Sequence, residues 1–380
     1  MKNIRNRKNS EDNKIYKTRV GRQTEQNVLP PFYNGNKDME YKKLEYYGTL
    51  GPSCINKDIL KDMFACGMTG IRLNLSHRSL KDSAEWIDIY KDAAREVYPQ
   101  ADLLIDLIGP EIRIGDLVEP VLLIEGKQTV LSWKKEEQAN VIPIPDFVKE
   151  YLNPGQSLLL DDGKIEVCVE EKTEEKAVCK IVRGGKLSSR KSLALLGCTL
   201  HNPPLTEQDH ENLKNAVEYG VTAVMQPFVR GKEDLMALRQ ALKEYGADHI
   251  RIFAKIENME GVAKVEELLP YCDTIVIARG DLGNAMPLSK LPVVQQQISD
   301  VCKKHNKPFM VVTQMLNSMI ESAVPTRAEV NDIFHAVADG ASSIMLTGET
   351  AAGKYPVEAM KVFVDTAEEA FAYICQINII

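Results

Sequence analysis

From about residue 43 onward, short apolar runs alternate with amphipathic stretches of helical period. That is the signature of a parallel sheet with crossover helices. The runs that read as strands are Leu44–Leu50, Ile71–Ser76, Leu103–Ile108, Ala223–Val229, Ile250–Glu257, Thr274–Asp281, Phe309–Met315 and Ser343–Glu349. Eight such strands are the number that closes a barrel. The predicted fold class is therefore α/β, a (β/α)8 TIM barrel.

The third run is followed by a different texture. Between Asp116 and Gly197 the chain reads VLLIEGKQTVLSW, SLLLDDGKIEVCVE and KAVCKIVRGG, β-rich runs punctuated by turns and free of any long amphipathic helix. Asp162-Gly163 is a hairpin signal. We therefore divide the chain into a polar N-terminal extension (1–42), a TIM-barrel catalytic domain (43–115 and 198–380), and a small β-barrel lid domain (116–197) inserted after the third strand. After the eighth strand, YPVEAMKVFVDTAEEAFAYI supplies a closing helix with Pro356 suited to its first turn. The extension is rich in Asn, Lys, Arg, Glu and Asp and has no apolar period, so it reads as flexible or draped on the surface.

Bulk properties exclude classes of function and do not choose one. The net charge of -7 and the pI near 5.6 argue against a nucleic-acid binder. No apolar run approaches the roughly 20 residues that span a bilayer. The polar start lacks the apolar core of a secretory signal, so a cytoplasmic location is expected. Eight cysteines, Cys54, Cys66, Cys168, Cys179, Cys198, Cys272, Cys302 and Cys375, are scattered without CxxC spacing and read as buried reduced thiols.

Candidate chemistry gathers where the strands end. Thr49, Arg72, Asn74, Ser76, His77, Asp106, Arg113, Lys255, Glu257, Asp281, Thr313 and Glu349 all fall there, on the face where barrel active sites form. Side chains at i and i+2 share a face of a strand, so Lys255 and Glu257 point the same way. With Asp281 from the next strand they make a site for a divalent cation and a phosphate. In IRLNLSHRS, alternation puts Arg72, Asn74 and Ser76 on one side and Leu73 and Leu75 on the other. A guanidinium flanked by an amide and a hydroxyl suits a phosphate oxygen; the bland alternative is a polar edge of the barrel interior.

Three other motifs carry two readings each. GETAAGKY, Gly348 to Tyr355, has the GxxxxGK spacing of a phosphate-binding loop, but Tyr355 replaces the Ser or Thr that holds magnesium, so Gly353 reads as permitting a tight loop. In VPTRAEVND, Thr326 and Glu329 form a capping box, and Arg327 serves helix initiation alone or a subunit contact. DDGKI, Asp161 to Ile165, is first a turn, and secondly a carboxylate able to close over a ligand.

Taken in order, GTLGPS, GMTGIRLNLSH, IGPEIRIG, LLLDDGKI, AKIENMEGV, ARGDLG, TQMLNSMIESAVPTRAEVNDI and MLTGETAAGKYPVEA resemble the pyruvate kinase family from about Glu45 to Phe371. The resemblance implies the same barrel with a β domain after the third strand, transfer of phosphoryl from phosphoenolpyruvate to ADP to give pyruvate and ATP, and no nucleic-acid or membrane partner. It implies that Glu257 and Asp281 hold Mg2+ (or Mn2+) and that Lys255 stabilises charge on the phosphoryl group and the enolate. Arg72 would contact the phosphate, the backbone of Ala278, Arg279 and Gly280 would receive the substrate carboxylate, and Thr313 would lie near the carbon that is protonated. Asn74, Ser76 and Asp106 match K+ ligands, and His77, Arg113 and Lys191 match positions near the nucleotide.

The sequence departs from the family in three places. The usual Asp-Thr-Lys-Gly is Asp106-Leu107-Ile108-Gly109, which puts potassium dependence in question, since Glu111 is not the lysine that accompanies leucine in potassium-independent members. A glycine and an asparagine of the inserted domain become Ser192 and Ala194. The family's C-terminal domain has no counterpart here, so a homodimer through the barrel domain is expected in place of the usual tetramer, without the usual sugar-phosphate regulation. Two alternatives stay open: a paralogue acting on another enol phosphate or 2-oxo acid, and a catalytically silent regulator that binds phosphoenolpyruvate or nucleotide.

Overall fold

The computed structural model describes residues 44–76, 78–134, 141–161, 163–196 and 202–377. The polar extension, His77, Asp162 and Cys198 lie outside the described residues. The strands in chain order are β1 (Glu45–Thr49), β2 (Gly70–Asn74), β3 (Asp102–Asp106), β4 (Val121–Leu123), β5 (Gln128–Ser132), β6 (Val141–Pro143), β7 (Ser157–Leu160), β8 (Ile165–Lys172), β9 (Lys176–Arg183), β10 (Gly185–Leu187), β11 (Leu193–Leu195), β12 (Ala223–Gln226), β13 (Arg251–Ile256), β14 (Thr274–Ala278), β15 (Phe309–Val312) and β16 (Ser343–Met345). The α-helices are α1 (Lys57–Ala65), α2 (Ala84–Val97), α3 (Glu207–Asn215), α4 (Lys232–Glu244), α5 (Met259–Ala263), α6 (Val265–Leu268), α7 (Arg279–Asn284), α8 (Leu291–Lys304), α9 (Arg327–Ala338), α10 (Gly348–Ala351) and α11 (Pro356–Ile377).

The eight runs expected to be barrel strands pair in parallel and close in the order β1-β16-β15-β14-β13-β12-β3-β2. Each ends earlier than its apolar run suggests. β14 stops at Ala278 and β16 at Met345, so Asp281 and Glu349 stand in the helices that follow and not on strand ends. After β14 the chain turns helical at once, and after β16 two residues later; a Cβ on Gly280 would stand 3.0 Å from Thr313 Cγ2 and one on Gly348 3.2 Å from Ile320 Cδ1.

Alternation along each strand builds two apolar layers. Ile275 and Ile277 of β14 face the helices, whereas Val276 and Ala278 face the barrel axis. The interior plug is Tyr47, Leu104, Ala223, Met225, Phe253, Val276, Ala278, Met310, Val312 and Met345. Burying each of the larger of these side chains contributes about 1.5–3 kcal/mol of transfer free energy.

The chain between β3 and β12 folds on an apolar core of its own, including Leu131, Leu158, Val167 and Ile181. It forms a six-stranded sheet, β11-β7-β8-β9-β5-β6, and a two-stranded one, β10-β4. The expected hairpin joins β7 to β8, with left-handed backbone at Asp161 (φ 49°) and Gly163 (φ 79°). The capping box at Thr326 and Glu329 starts α9, and Pro356 opens α11. Cys54, Cys179, Cys272 and Cys302 are buried free thiols; Cys66, Cys168 and Cys375 are only half-buried, which corrects the expectation for those three.

At the amino end of the barrel a second charged group closes the plug. Asp102 of β3 accepts from the Tyr47 hydroxyl (2.8 Å) and Thr222 Oγ1 (2.7 Å) and pairs with Arg251 of β13. Arg251 also reaches Glu45 at 3.5 Å and stacks over the Phe253 ring. Removing Asp102 leaves the Arg251 guanidinium and the Tyr47 hydroxyl with Glu45 as their remaining carboxylate partner, at 3.5 and 3.1 Å. Asp102→Ala is expected to cost about 2 kcal/mol, a broken buried pair discounted for the partial exposure of Arg251, read as a lower urea midpoint at constant slope.

Candidate active site

Inward-facing positions recur every second residue, so a strand carries one column of side chains into the barrel. On β13 the column is Arg251, Phe253 and Lys255, and on β3 it is Asp102, Leu104 and Asp106, with β12 between them. Lys255 Nζ therefore meets Asp106 Oδ2 at 3.2 Å, and it also meets Glu257 Oε1 at 3.0 Å. From β2, Arg72 donates to the same Asp106 Oδ2 through Nε (2.8 Å) and Nη2 (2.6 Å), while its Nη1 makes only a 3.5 Å contact with Thr49 Oγ1. Glu257, just past the end of β13, accepts the Phe228 N–H at 2.8 Å, an amide aimed by the left-handed backbone of Phe228 (φ 52°).

Burial and charge act against one another here. Burial alone would raise the Asp106 carboxyl, but Lys255 and Arg72 override it and hold Asp106 below the usual range. For Lys255, burial opposes the ammonium, and Asp106 and Glu257 more than compensate, so its pKa is raised. Glu257 goes the other way: burial lifts it to about 7, against the pull of Lys255 and with the help of Asp281.

Ala278, Arg279 and Gly280 form the junction of β14 and α7, and Asp281 sits in the first turn of that helix. The Arg279 side chain turns away from the mouth. Its Nη1 takes both oxygens of Asp332 on α9 (2.8 and 2.7 Å), and its Nη2 and Nε donate to the carbonyl of Thr313 (2.7 and 3.2 Å). Thr313 and Gln314 both hold left-handed backbone, φ 77° and 56°, at the end of β15. A side chain on Gly280 would come within 3.0 Å of Thr313 Cγ2, so the threonine lies directly against the α7 entrance.

The inserted domain brings its own cations. Arg113 is held by Glu111 (2.7 Å), donates to the Arg190 carbonyl (2.9 Å) and bridges to Ser192. Lys191 pairs with Asp161 at 2.8 Å. The hairpin reaches the barrel, since a Cβ on Gly163 would stand 2.9 Å from Asn284 Oδ1 at the end of α7. Burial raises the Glu111 carboxyl, Arg113 opposes that, and Glu257 adds to it across the mouth.

Not every expected residue faces this centre. Thr49 lies at its edge, where Arg72 Nη1 reaches its Oγ1; that hydroxyl donates to the Leu346 carbonyl, and the Thr49 N–H donates to Thr350 Oγ1. Glu349 is buried and accepts from the N–H groups of Leu316 and Thr347, which makes it a strut for the loop after β15. The GETAAGKY segment opens with α10 and then leaves the helix, and its Gly353 admits a close backbone approach, since a Cβ there would lie 2.3 Å from the Glu349 carbonyl oxygen. Asn74 Oδ1 accepts the Ser76 N–H at 3.1 Å, closing a small turn beside Asp106. Asp332, Phe228 and Asp209 were not singled out in the sequence, and they bond to Arg279, Glu257 and the Ile108 and Gly109 amides on other elements.

The donors suit hard cations. Glu257 and Asp281 are carboxylates, and Asn74, Ser76 and Asp106 supply further oxygens. Among the described residues no three His, Cys, Asp or Glu side chains gather as a full metal cage. Mg2+ needs none, because it is commonly held by one or two carboxylates with substrate phosphates and water completing its shell.

A parallel α/β barrel with a lysine among buried carboxylates at its carboxyl end, beneath an all-β insert, defines a narrow class of barrel proteins. The sequence profile for "Pyruvate kinase, barrel domain" matches residues 41–360, and the chain belongs to the pyruvate kinase family. It is 35% identical over 312 residues to a pyruvate kinase of Borreliella burgdorferi, covering 82% of this chain and 64% of that one. It is 34% identical over 332 residues to one from Methylorubrum extorquens, covering 86% and 68%. A crystal structure of a pyruvate kinase from Cryptosporidium parvum superposes with a TM-score of 0.79 at 32% identity, over 87% of this chain and 69% of that one. The chain thus spans about two thirds of the length of these relatives. Among the described residues no helix is long and apolar enough to cross a membrane.

The left-handed pair at the end of β15 gives a measurable signature. Gln314 is exposed, and a non-glycine residue in this region costs about 1–2 kcal/mol. Gln314→Gly is therefore expected to leave the urea midpoint unchanged or raise it. A fall of about 1 kcal/mol, normal for glycine in ordinary backbone, would contradict that assignment.

Proposed function

We propose that the chain is a pyruvate kinase-type phosphotransferase that moves the phosphoryl group of phosphoenolpyruvate to ADP, giving pyruvate and ATP. The observation that carries this reading is Lys255, held 3.2 Å from Asp106 and 3.0 Å from Glu257 at the mouth of the barrel. An ammonium whose pKa is raised stays charged where negative charge develops, and its position is set before substrate arrives.

Phosphoryl transfer asks little covalent chemistry of the protein; positioning and neutralisation carry it. Arg72 and Lys255 face the transferring group from β2 and β13. The amides at the start of α7, from Ala278 to Gly280, orient the substrate carboxylate. The β-rich segment 116–197 acts as a lid, and Arg113 and Lys191 stand on the nucleotide side. In the step itself, the bond from phosphorus to the enol oxygen breaks as a terminal ADP oxygen bonds to phosphorus, leaving an enolate beside Lys255. A proton then adds to the methylene carbon near Thr313, and the ketone forms. Mg2+ or Mn2+, held by Glu257 and Asp281, would supply charge neutralisation of the phosphate oxygens, and K+ would be held by Asn74, Ser76 and Asp106.

In a coupled assay with phosphoenolpyruvate, ADP and Mg2+ the protein is expected to form pyruvate, and chelation is expected to stop it. Lys255→Met should lower kcat by about 100-fold or more while Mg2+-dependent phosphoenolpyruvate binding persists. Absence of turnover in the unmodified protein, with or without K+, together with absence of phosphoenolpyruvate binding, would overturn the proposal.

A further inference from the structure

We infer that Asp209, on α3, is a positioning residue that fixes the barrel-side ends of both connections to the β-rich lid. Asp209 is fully buried. Its Oδ1 accepts the Ile108 N–H at 2.8 Å, and its Oδ2 accepts the Gly109 N–H at 3.0 Å, the Thr206 N–H at 2.9 Å and the Thr206 hydroxyl at 2.8 Å. All four are uncharged donors, and they come from two places. Ile108 and Gly109 lie where the chain leaves β3 for the lid, and Thr206 lies where it has come back.

Starting a helix requires only the contacts with Thr206. The bonds to Ile108 and Gly109, a hundred positions away in the chain, do something else: they fasten the outgoing connection to the returning one. Neighbouring contacts repeat the pattern. Asn202 Nδ2 donates to the Pro110 carbonyl at 2.8 Å, and Arg230, locked on Asp234, donates to the Asn202 carbonyl at 3.0 Å. Gln226, fully buried at the end of β12, donates to the Pro204 carbonyl at 2.8 Å. Gly109 is pinned as well, with φ 62° and no room for a Cβ, which would stand 2.3 Å from Pro227 Cγ.

The position of this clamp gives it a functional consequence. Two residues after Gly109 comes Glu111, which holds Arg113, whose partners are the lid's Arg190 and Ser192. Arg72 and Lys255, which face phosphoenolpyruvate, sit on β2 and β13, and the amides that take its carboxylate follow β14, all away from the two connections. Loosening the clamp therefore lowers the fraction of molecules with the lid cations seated, and the apparent nucleotide affinity falls by that fraction.

The kinetic arm of the test rests on the phosphotransferase reading; the exchange and binding arms do not. Asp209→Asn in the full chain keeps the size of the side chain and removes an acceptor oxygen. Amide exchange at Ile108 and Gly109 should speed up by about tenfold or more, and KM for ADP should rise about fivefold, with KM for phosphoenolpyruvate and kcat within about twofold of the parent. Asn202→Ala, which cuts a more exposed tie, should move KM for ADP the same way by less, and it decides the matter if Asp209→Asn does not fold. Equal rises in both KM values, or fast exchange with an unchanged KM for ADP, would overturn the inference. If the parent shows neither turnover nor phosphoenolpyruvate binding, the phosphotransferase reading fails, and the clamp is judged by exchange and by calorimetric Mg·ADP binding. An unchanged exchange rate or unchanged binding would then sink it.

Discussion

The carboxylate of Asp106 is the point on which the mouth of this barrel depends. It is buried almost completely, and a charge moved out of water to that extent costs several kcal/mol unless it is paired and hydrogen-bonded. Arg72 and Lys255 provide that compensation from strands on either side. The dependence is mutual, because burial works against the Lys255 ammonium and Asp106 and Glu257 more than offset it. Three strands thus have to register correctly for any of these charges to be tolerated, and a slip of one residue would turn all of them toward the helices.

The same two strands repeat the device at the other end of the barrel. Asp102 and Arg251 pair below Leu104 and Phe253 as Asp106 and Lys255 pair above them. The apolar middle keeps the two charged ends apart. One end is saturated by Tyr47 and Thr222 and reads as structural, whereas the other has a raised Glu257 and the first turn of α7 beside it.

Much of this was legible in the chain. The eight apolar runs located the strands, since parallel strands covered on both faces must be apolar almost throughout. The spacing of Lys255 and Glu257 placed both on one face because a strand has period two. What the sequence hid was of another kind. The sequence offered only the backbone of Arg279 to a ligand and gave no sign that its side chain clamps Asp332 and Thr313, because those partners sit dozens of positions away on α9 and after β15. Asp209 looks like an ordinary helix cap, because the carboxylate's other bonds run to backbone amides that carry no side-chain signal. Asp281 and Glu349 were drawn on strands because the apolar run gives no sign of where pairing stops.

The interior plug has a consequence for traffic. Tyr47, Leu104, Phe253 and the methionines Met225, Met310 and Met345 fill the barrel from wall to wall, so the charged cavity above them is a cup with a floor. Water, protons and small ions cannot reach it from the amino end of the barrel, and one face of anything lying on that floor is always turned toward the carboxyl-end mouth.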